Sequence, residues 1–493
     1  MVALDIGTGS TKASIVDAHG QIKKSIRRPT GRITHPNPGY MELNPEEVFK
    51  NVTAALKLIS KRLKHEDMLI SISCMAPIMI CMGKTQQALR PAILYNDLRP
   101  STEVDELNER LGVEELLRIT GDQANIQQYP PKLLWLKKNE PSTLTKTKKL
   151  FDLSTYVIWR LTGEEIVDYT VALESGLLDY SKMKWSEKIL SFVDLDSSTL
   201  PELHRTVHTN EVTSPNVKSK LGLTQKQQVL ITSSCVDAVC APIGMGLVKE
   251  GDISIELGTT GIIYTPTRSP KPDRRLYLDL SPIDGLYFVG GGTAASGLFY
   301  EYMIRLLMKN KQANFTLAEK SATTSPPGSN GIVVLPYILG ERTPIFDMLA
   351  RAIIFGLHEE NTTNDILHAS VEAVAYSFLH HLRIMRENGY RVESGEITGG
   401  GAKSRLFRKT MADVLGLSFS YNPSMSSTIG AAYIGYMASG LKKSWAEVKE
   451  WHLVRERIDP DLSLRKMYDE LFSIYLSLYE KHKDDFKLIT KFA

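Results

Sequence analysis

Leu4-Asp5-Ile6-Gly7-Thr8-Gly9, at the head of the chain, and Ile255-Glu256-Leu257-Gly258-Thr259-Thr260, just past its midpoint, follow one pattern. Each runs apolar, acidic, apolar, glycine, threonine, small residue. Working outward from the first copy, Val2 to Ile6 reads as a strand, Thr11 to Asp17 as a second, His19-Gly20 as a turn and Gln21 to Arg27 as a third. A helix follows: Asn44 can cap it, Pro45 suits its first position and Glu47 can complete a capping box. Val48, Val52, Ala55, Ile59 and Leu63 then recur at helical spacing, and Leu69 to Ser73 reads as a strand. Around the second copy, Ile253 to Leu257 and Ile262 to Thr265 read as strands, with Tyr287 to Val289 a third before Gly290-Gly291-Gly292. The same order starting twice, half a chain apart, predicts a duplicated α/β domain with a site between the copies. The boundary falls among Gly244, Gly246 and Gly251, dividing the chain into 1–245 and 246–493. Thr323 to Asn330 has the composition of a loop.

The 493 residues are too many for one ordinary core, which agrees with two domains. A net charge of +3 gives no concentrated basic face of the kind nucleic acid requires. The basic runs Lys146-Thr147-Lys148-Lys149 and Lys442-Lys443 read as solvated surface. Four scattered cysteines, Cys74, Cys81, Cys235 and Cys240, suit a reducing compartment and form no zinc-type pair. No stretch reads as a signal peptide or a membrane span, so the expectation is a cytoplasmic protein with neither a nucleic-acid nor a membrane partner.

Three glycine-containing stretches could meet an anion. In Asp5-Ile6-Gly7-Thr8-Gly9-Ser10-Thr11-Lys12, glycines let backbone N–H groups approach a phosphate and hydroxyls add donors, while the acid could hold a metal ion. The alternative is an ordinary hairpin turn. The spacing is neither that of a Walker A loop nor that of a dinucleotide fingerprint. Gly258-Thr259-Thr260 could clamp a triphosphate from the opposite side. Gly399-Gly400-Gly401-Ala402-Lys403-Ser404 follows a short strand and precedes a helix reaching Leu415, so its glycines suit close approach of a ligand at a helix N-terminus. Asp237, after the apolar Val229-Leu230-Ile231, is either a helix cap or a carboxylate placed between two lobes to accept a proton. Asn96, Asp97 and Arg99 end another apolar run, where they could read sugar hydroxyls or form an Asx turn.

Taken in order, these stretches resemble the FGGY family of carbohydrate kinases. The resemblance is carried by Asp5 to Lys12, Pro38-Gly39-Tyr40-Met41-Glu42, Leu89 to Asp97, Leu161-Thr162-Gly163-Glu164, Asp168-Tyr169, Asp237 and Leu257 to Thr260. It continues through Leu335-Pro336-Tyr337, Gly340-Glu341-Arg342-Thr343-Pro344, Ala352 to Glu372 and Gly399 to Ser404. The N-terminal signature is partial, with Lys132-Leu133-Leu134-Trp135-Leu136 and Lys138-Asn139 matching.

The resemblance implies the two-domain fold of actin, hexokinase and the Hsp70 ATPase, a duplicated ribonuclease H-like fold with ATP in the cleft. It implies an N-terminal sugar-binding lobe and a C-terminal nucleotide-binding lobe. Gly7, Thr8, Gly9, Ser10, Thr11, Lys12, Gly258, Thr259 and Thr260 would then embrace the phosphates of ATP. Gly400, Gly401 and Ala402 would face adenosine, with Arg405 at the position of an adenine-side contact. Asp5 and Asp237 would serve Mg²⁺, and Asp237 would be the catalytic base. Met75, Ala76, Asn96, Asp97 and Asp237 would meet the sugar.

Cys74-Met75-Ala76-Pro77 departs from the Gln-Met-His-Gly usual in xylulose kinases, and Ala238 from the Asn that tends to follow their catalytic Asp. A pentulose such as xylulose is the expected substrate, with gluconate the alternative. A non-catalytic sugar- or ATP-binding member of the same fold is the other class. The resemblance carries a homodimer as its expectation.

Overall fold

The computed structural model describes residues 1–63, 66–308, 313–451 and 456–492. Its first sheet begins with β1 (Val2–Ile6), β2 (Ser10–Val16) and β3 (Ile22–Pro29), followed by helix α1 (Pro45–Ser60) and β4 (Met68–Cys74). After a long excursion that includes α2 (Tyr169–Glu174), the chain returns as β5 (Thr209–Glu211), β6 (Val229–Thr232) and β7 (Cys235–Val236), then α3 (Asp237–Gly244). The second half opens with β8 (Gly251–Leu257), β9 (Gly261–Thr267), β10 (Tyr277–Leu280) and β11 (Tyr287–Thr293), then α4 (Gly297–Leu307) and α5 (Thr363–Glu387). It continues with β12 (Val392–Thr398), α6 (Arg405–Leu415), β13 (Ser418–Tyr421), α7 (Ser427–Ala438) and β14 (Glu456–Ile458).

Strand order makes the duplication explicit. The first sheet runs β5-β6-β4-β1-β2-β3, with β7 also on β4, and the second runs β10-β11-β9-β8-β12-β13-β14. In each, an antiparallel meander joins a parallel strand: β1 pairs β2 antiparallel and β4 parallel, as β8 pairs β9 and β12. Even the acids correspond, since Asp5 lies opposite Ser73 and Glu256 opposite Thr398 on those parallel neighbours.

Local chemistry explains several elements and corrects two expectations. Asn44 caps α1 by accepting from Glu46 N at 3.0 Å. Glu47 closes no capping box; its carboxylate accepts from Arg32 N at 3.2 Å and ties the preceding loop to the helix. Val48, Val52, Ala55 and Ile59 are fully buried, as their spacing predicts, while Leu63 is half-buried beyond the helix end. The glycines 290–292 do not follow a strand but form the second half of β11. A Cβ on Gly290 would stand 1.9 Å from Ile263 O, and one on Gly291 2.4 Å from Thr343 Oγ1. Their absence of side chains draws the Glu341–Thr343 segment onto the strand. Thr323 to Asn330 is a loop, pinned by Gly328 N and Ser329 Oγ, each donating to Glu372 at 2.7 Å.

The two halves meet where α3 crosses α7. A Cβ on Gly244 would lie 2.6 Å from Ser426 O, and one on Gly430 1.8 Å from Cys240 O. Backbone therefore packs on backbone at this crossing, and a shared apolar cluster that includes Val239, Ile243, Ile429 and Tyr433 surrounds it. The head of each helix opens onto one cavity between the halves.

Candidate active site

That cavity holds about 660 Å³. Asp237 lines it as the first residue of α3, so it does not cap the helix; its Oδ1 accepts from the adjacent Ala238 N at 2.9 Å. Asp237 is half-buried, and burial, reinforced by the charges of Asp5 and Glu256, pushes its carboxyl up to about 7. A carboxyl that titrates near neutrality is suited to taking a proton from an attacking hydroxyl. Glu256 is likewise raised, first by burial and then by Asp5. Asp5 receives long contacts from Lys12 Nζ and Thr428 Oγ1, each at 3.4 Å.

The two hairpin turns differ in what they offer. Gly258, Thr259 and Thr260 line the cavity, and both threonines are exposed. Their turn is anchored from behind: Gly258 O accepts from Gly297 N at 2.9 Å, and Thr259 O from Ser296 N and Leu298 N at 3.0 and 3.1 Å. A Cβ on Gly297 would lie 2.6 Å from Gly258 O, so α4 can seat the turn only with glycine there. From the first turn Lys12 lines the cavity, while Gly7, Thr8, Gly9, Ser10 and Thr11 are not among its lining residues. Thr11 is fully buried, its hydroxyl 3.1 Å from that of Thr30, which donates in turn to Gly7 O at 2.5 Å. Thr8 Oγ1 faces Tyr95 OH at 3.3 Å.

Among the third set of glycines, Gly399 and Gly400 line the cavity and Ala402 is fully buried. Gly399 has φ +94° and a Cβ there would stand 2.5 Å from Leu257 O, so the fold itself requires this glycine. A Cβ on Gly401 would have more room, 3.1 Å from Leu257 Cβ, and one on Gly400 would meet nothing within 4 Å. Arg405, the first residue of α6, is exposed and lies outside the cavity lining.

Of the residues expected near a sugar, Met75, Ala76 and Asp237 line the cavity and Asn96 and Asp97 do not. Asp97 is fully buried and already engaged: it accepts from Met41 N at 2.6 Å and from Arg99 Nε and Nη2 at 2.7 and 2.8 Å. The Arg99 guanidinium also donates to Glu42 at 2.8 Å and lies over the Tyr40 ring at 4.2 Å. Tyr40-Met41-Glu42 and Asp97-x-Arg99 thus form one buried ion-pair cluster behind the site. Asn96 presents a buried Oδ1 without a hydrogen-bond partner among the described residues.

The far wall of the cavity is lined by residues that the sequence motifs do not single out. Asp122, Glu174, Asp279, Tyr264, Tyr277 and Arg342 all line the same cavity. Arg342 is carried there by the glycine strand: its Nη2 donates to Thr293 O at 2.8 Å, and Thr343 Oγ1 accepts from Gly292 N at 2.6 Å. The acids come from segments far apart in sequence and share no motif, so only folding reveals them. Among the described residues, no group of three or more His, Cys, Asp or Glu side chains is arranged to hold a metal ion by itself.

Duplicated sheets around an acid-lined cleft are what a family comparison then explains. The N-terminal domain of the FGGY family of carbohydrate kinases matches residues 1–244, and its C-terminal domain residues 253–439. The chain belongs to the FGGY family of carbohydrate kinases. It is 27% identical to a xylulose kinase of Staphylococcus xylosus, over 97% of this chain and 99% of that one. It is 26% identical to a gluconokinase of Bacillus subtilis, over 97% of this chain and 95% of the relative. The crystal structure of a xylulose kinase from Rhodospirillum rubrum superposes with a TM-score of 0.91 at 28% identity, covering 99% of both chains. The FGGY fold is accordingly the two-domain, actin- and hexokinase-like one, and kinases of this family draw their phosphoryl group from ATP. No described helix is long and apolar enough to cross a membrane.

Proposed function

We propose that this FGGY kinase transfers the γ-phosphoryl group of ATP to a hydroxyl of a small ketose such as xylulose, with Asp237 as the base. The observation that carries the reading is the position of Asp237: it heads α3 in the cavity, across from the open Gly258–Thr260 turn, with its proton held near neutrality. The sugar hydroxyl would lie against Asp237, Met75 and Ala76, in the lobe formed by residues 1–245. The phosphates would lie on the Thr259 turn and Lys12, and the adenosine on Gly399 and Gly400, in the lobe formed by 246–493. Phosphoryl transfer needs alignment and charge neutralisation more than covalent help. Asp237 holds the hydroxyl and accepts its proton as the oxygen attacks, while Lys12 and the amides of the Thr259 turn face the developing charge.

Hard-cation chemistry fits the same place. Asp5, Asp237 and Glu256 repel one another electrostatically, and the Lys12 charge acts on both Asp5 and Glu256. Asp5 and Asp237 are the oxygen donors that would hold Mg²⁺ there, completed by water and phosphate; when bound, it neutralises phosphate charge. We place the protein in the cytoplasm as a homodimer on family grounds.

Gluconate is the second reading, favoured by the gluconokinase relative. The test is product identification. Incubation with Mg-ATP and xylulose, followed by phosphorus NMR and mass spectrometry, should yield a sugar monophosphate and ADP in equal amounts. Inorganic phosphate in place of the ester would contradict the reading.

A further inference from the structure

The cavity extends beyond the phosphoryl-transfer end to the far wall, and that wall has a definite chemistry. Glu174 ends α2, Asp122 follows the Gly121 turn, and Asp279 sits in β10, so the two halves of the molecule contribute jointly. Asp279 is 4% exposed and lines the cavity, and its Oδ2 makes no regular hydrogen bond among the described residues. Glu174 and Tyr264 lie against it. Glu174 in turn feels the charges of Asp279, Asp122 and Asp237. Its carboxyl is held well above the usual range by burial and then by those neighbours, and that of Asp122 by burial and then by Asp279. Arg342 is the cation lining this part, and it is already shared between Thr293 O and its neighbour Glu341.

We propose that Asp122, Glu174 and Asp279 form the specificity wall of the sugar pocket, selecting an uncharged polyol and rejecting sugar acids. This rests on the kinase reading above and names the substrate class for that site. A cluster of carboxyl groups sharing protons presents donors from its protonated members and acceptors from its ionised ones. Sugar hydroxyls, each a donor and an acceptor, satisfy both. A substrate whose attacking hydroxyl rests on Asp237 extends its far end toward Glu174, which is near enough to feel the charge of Asp237. An aldonate would bring its own carboxylate to that end. There it would add an anion beside Glu174 and Asp122, whose carboxyls burial already holds back from ionising, and its lost hydration would go unreplaced.

The experiment compares kcat/KM for xylulose, ribulose and xylitol with that for gluconate, in the wild type and in Glu174→Gln and Asp279→Asn. The wild type should prefer its best neutral substrate by about 100-fold or more. Either amide substitution should raise the gluconate-to-neutral ratio about tenfold, because the amide keeps the shape and cannot ionise. Isothermal titration of each sugar into the wild type gives a readout independent of turnover. If no sugar is phosphorylated, the kinase reading fails; the specificity wall is then supported by tighter binding of the neutral sugars and overturned by equal or tighter gluconate binding, or by no sugar binding. With turnover present, gluconate use within tenfold of the best neutral sugar overturns the proposal. So does an unmoved ratio in both variants while they remain active.

Discussion

The two hairpins share a Gly-Thr pair on equivalent strands, yet they are used differently. In the first, Thr11 is sealed against Thr30, Thr30 holds Gly7 O, and Thr8 faces Tyr95. In the second, the carbonyls are bonded backward to the head of α4, and Thr259 and Thr260 stand exposed in the cavity. Duplication supplies matching scaffolds, and the neighbours of each turn decide whether its polar groups brace the lobe or face a ligand. The acids differ in the same sense: Asp5 and Glu256 hold equivalent strand positions, yet Glu256 lines the cavity and Asp5 is buried outside its lining, whereas Asp237 belongs to α3, at the crossing that joins the halves.

The comparison can be broken most severely at Asp237. Asp237→Asn should lower kcat by about 10²–10⁴-fold in a coupled ADP assay, with an unchanged circular dichroism spectrum. Loss of less than tenfold would move the proton acceptor elsewhere. Next in size is the crossing. Gly430→Ala pushes a methyl into Cys240 O and should cost about 2–4 kcal/mol in urea unfolding. Gly400→Ala meets no atom within 4 Å; it should leave stability within about 0.5 kcal/mol and instead weaken ATP binding.

The turns themselves separate at a smaller scale. Thr259→Val should raise KM for ATP about tenfold without loss of stability. Thr11→Val should cost about 1 kcal/mol of stability and leave KM for ATP within about twofold. Equal effects on KM would mean that the turns are used alike.

A pH-dependent effect concerns β11, whose glycine run is missing from β3, its counterpart in the first sheet. His381 is fully buried, its Nδ1 donating to Ser377 O at 2.8 Å and its Nε2 facing Thr343 Oγ1 at 2.8 Å. Burial holds its ring down to about 4, so it stays neutral in the folded state. The unfolded chain binds the proton first. This group's contribution is therefore intact above about pH 6.5 and is lost as pH falls toward 4. Between pH 7 and 5 the wild type should lose about 2 kcal/mol more stability than His381→Gln, measured by urea unfolding at each pH.

Much of the fold was legible because strand, turn and acid recur as a unit at Asp5 and Glu256, and the recurrence is real in the strand order. The glycine run 290–292 misled, since glycine favours turns locally while here a strand sheds side chains to admit the Glu341–Thr343 segment. Asn96-Asp97 has the look of a polar strand end. What fixes Asp97 is Arg99 two residues on and Tyr40-Met41-Glu42 far upstream, a partnership that spacing alone does not announce. Asp237 gained its meaning from the family resemblance, because one acid after an apolar run has many uses. The far wall was illegible for a physical reason: its acids come from three separate segments and acquire their chemistry only by being buried together.

The most direct test of the central claim is ADP release from Mg-ATP by the purified protein, measured with and without xylulose and related neutral sugars. The account predicts little ADP in the absence of sugar and strong stimulation by at least one neutral sugar. Equal ADP release with and without sugar, or no response to any neutral sugar, would contradict it.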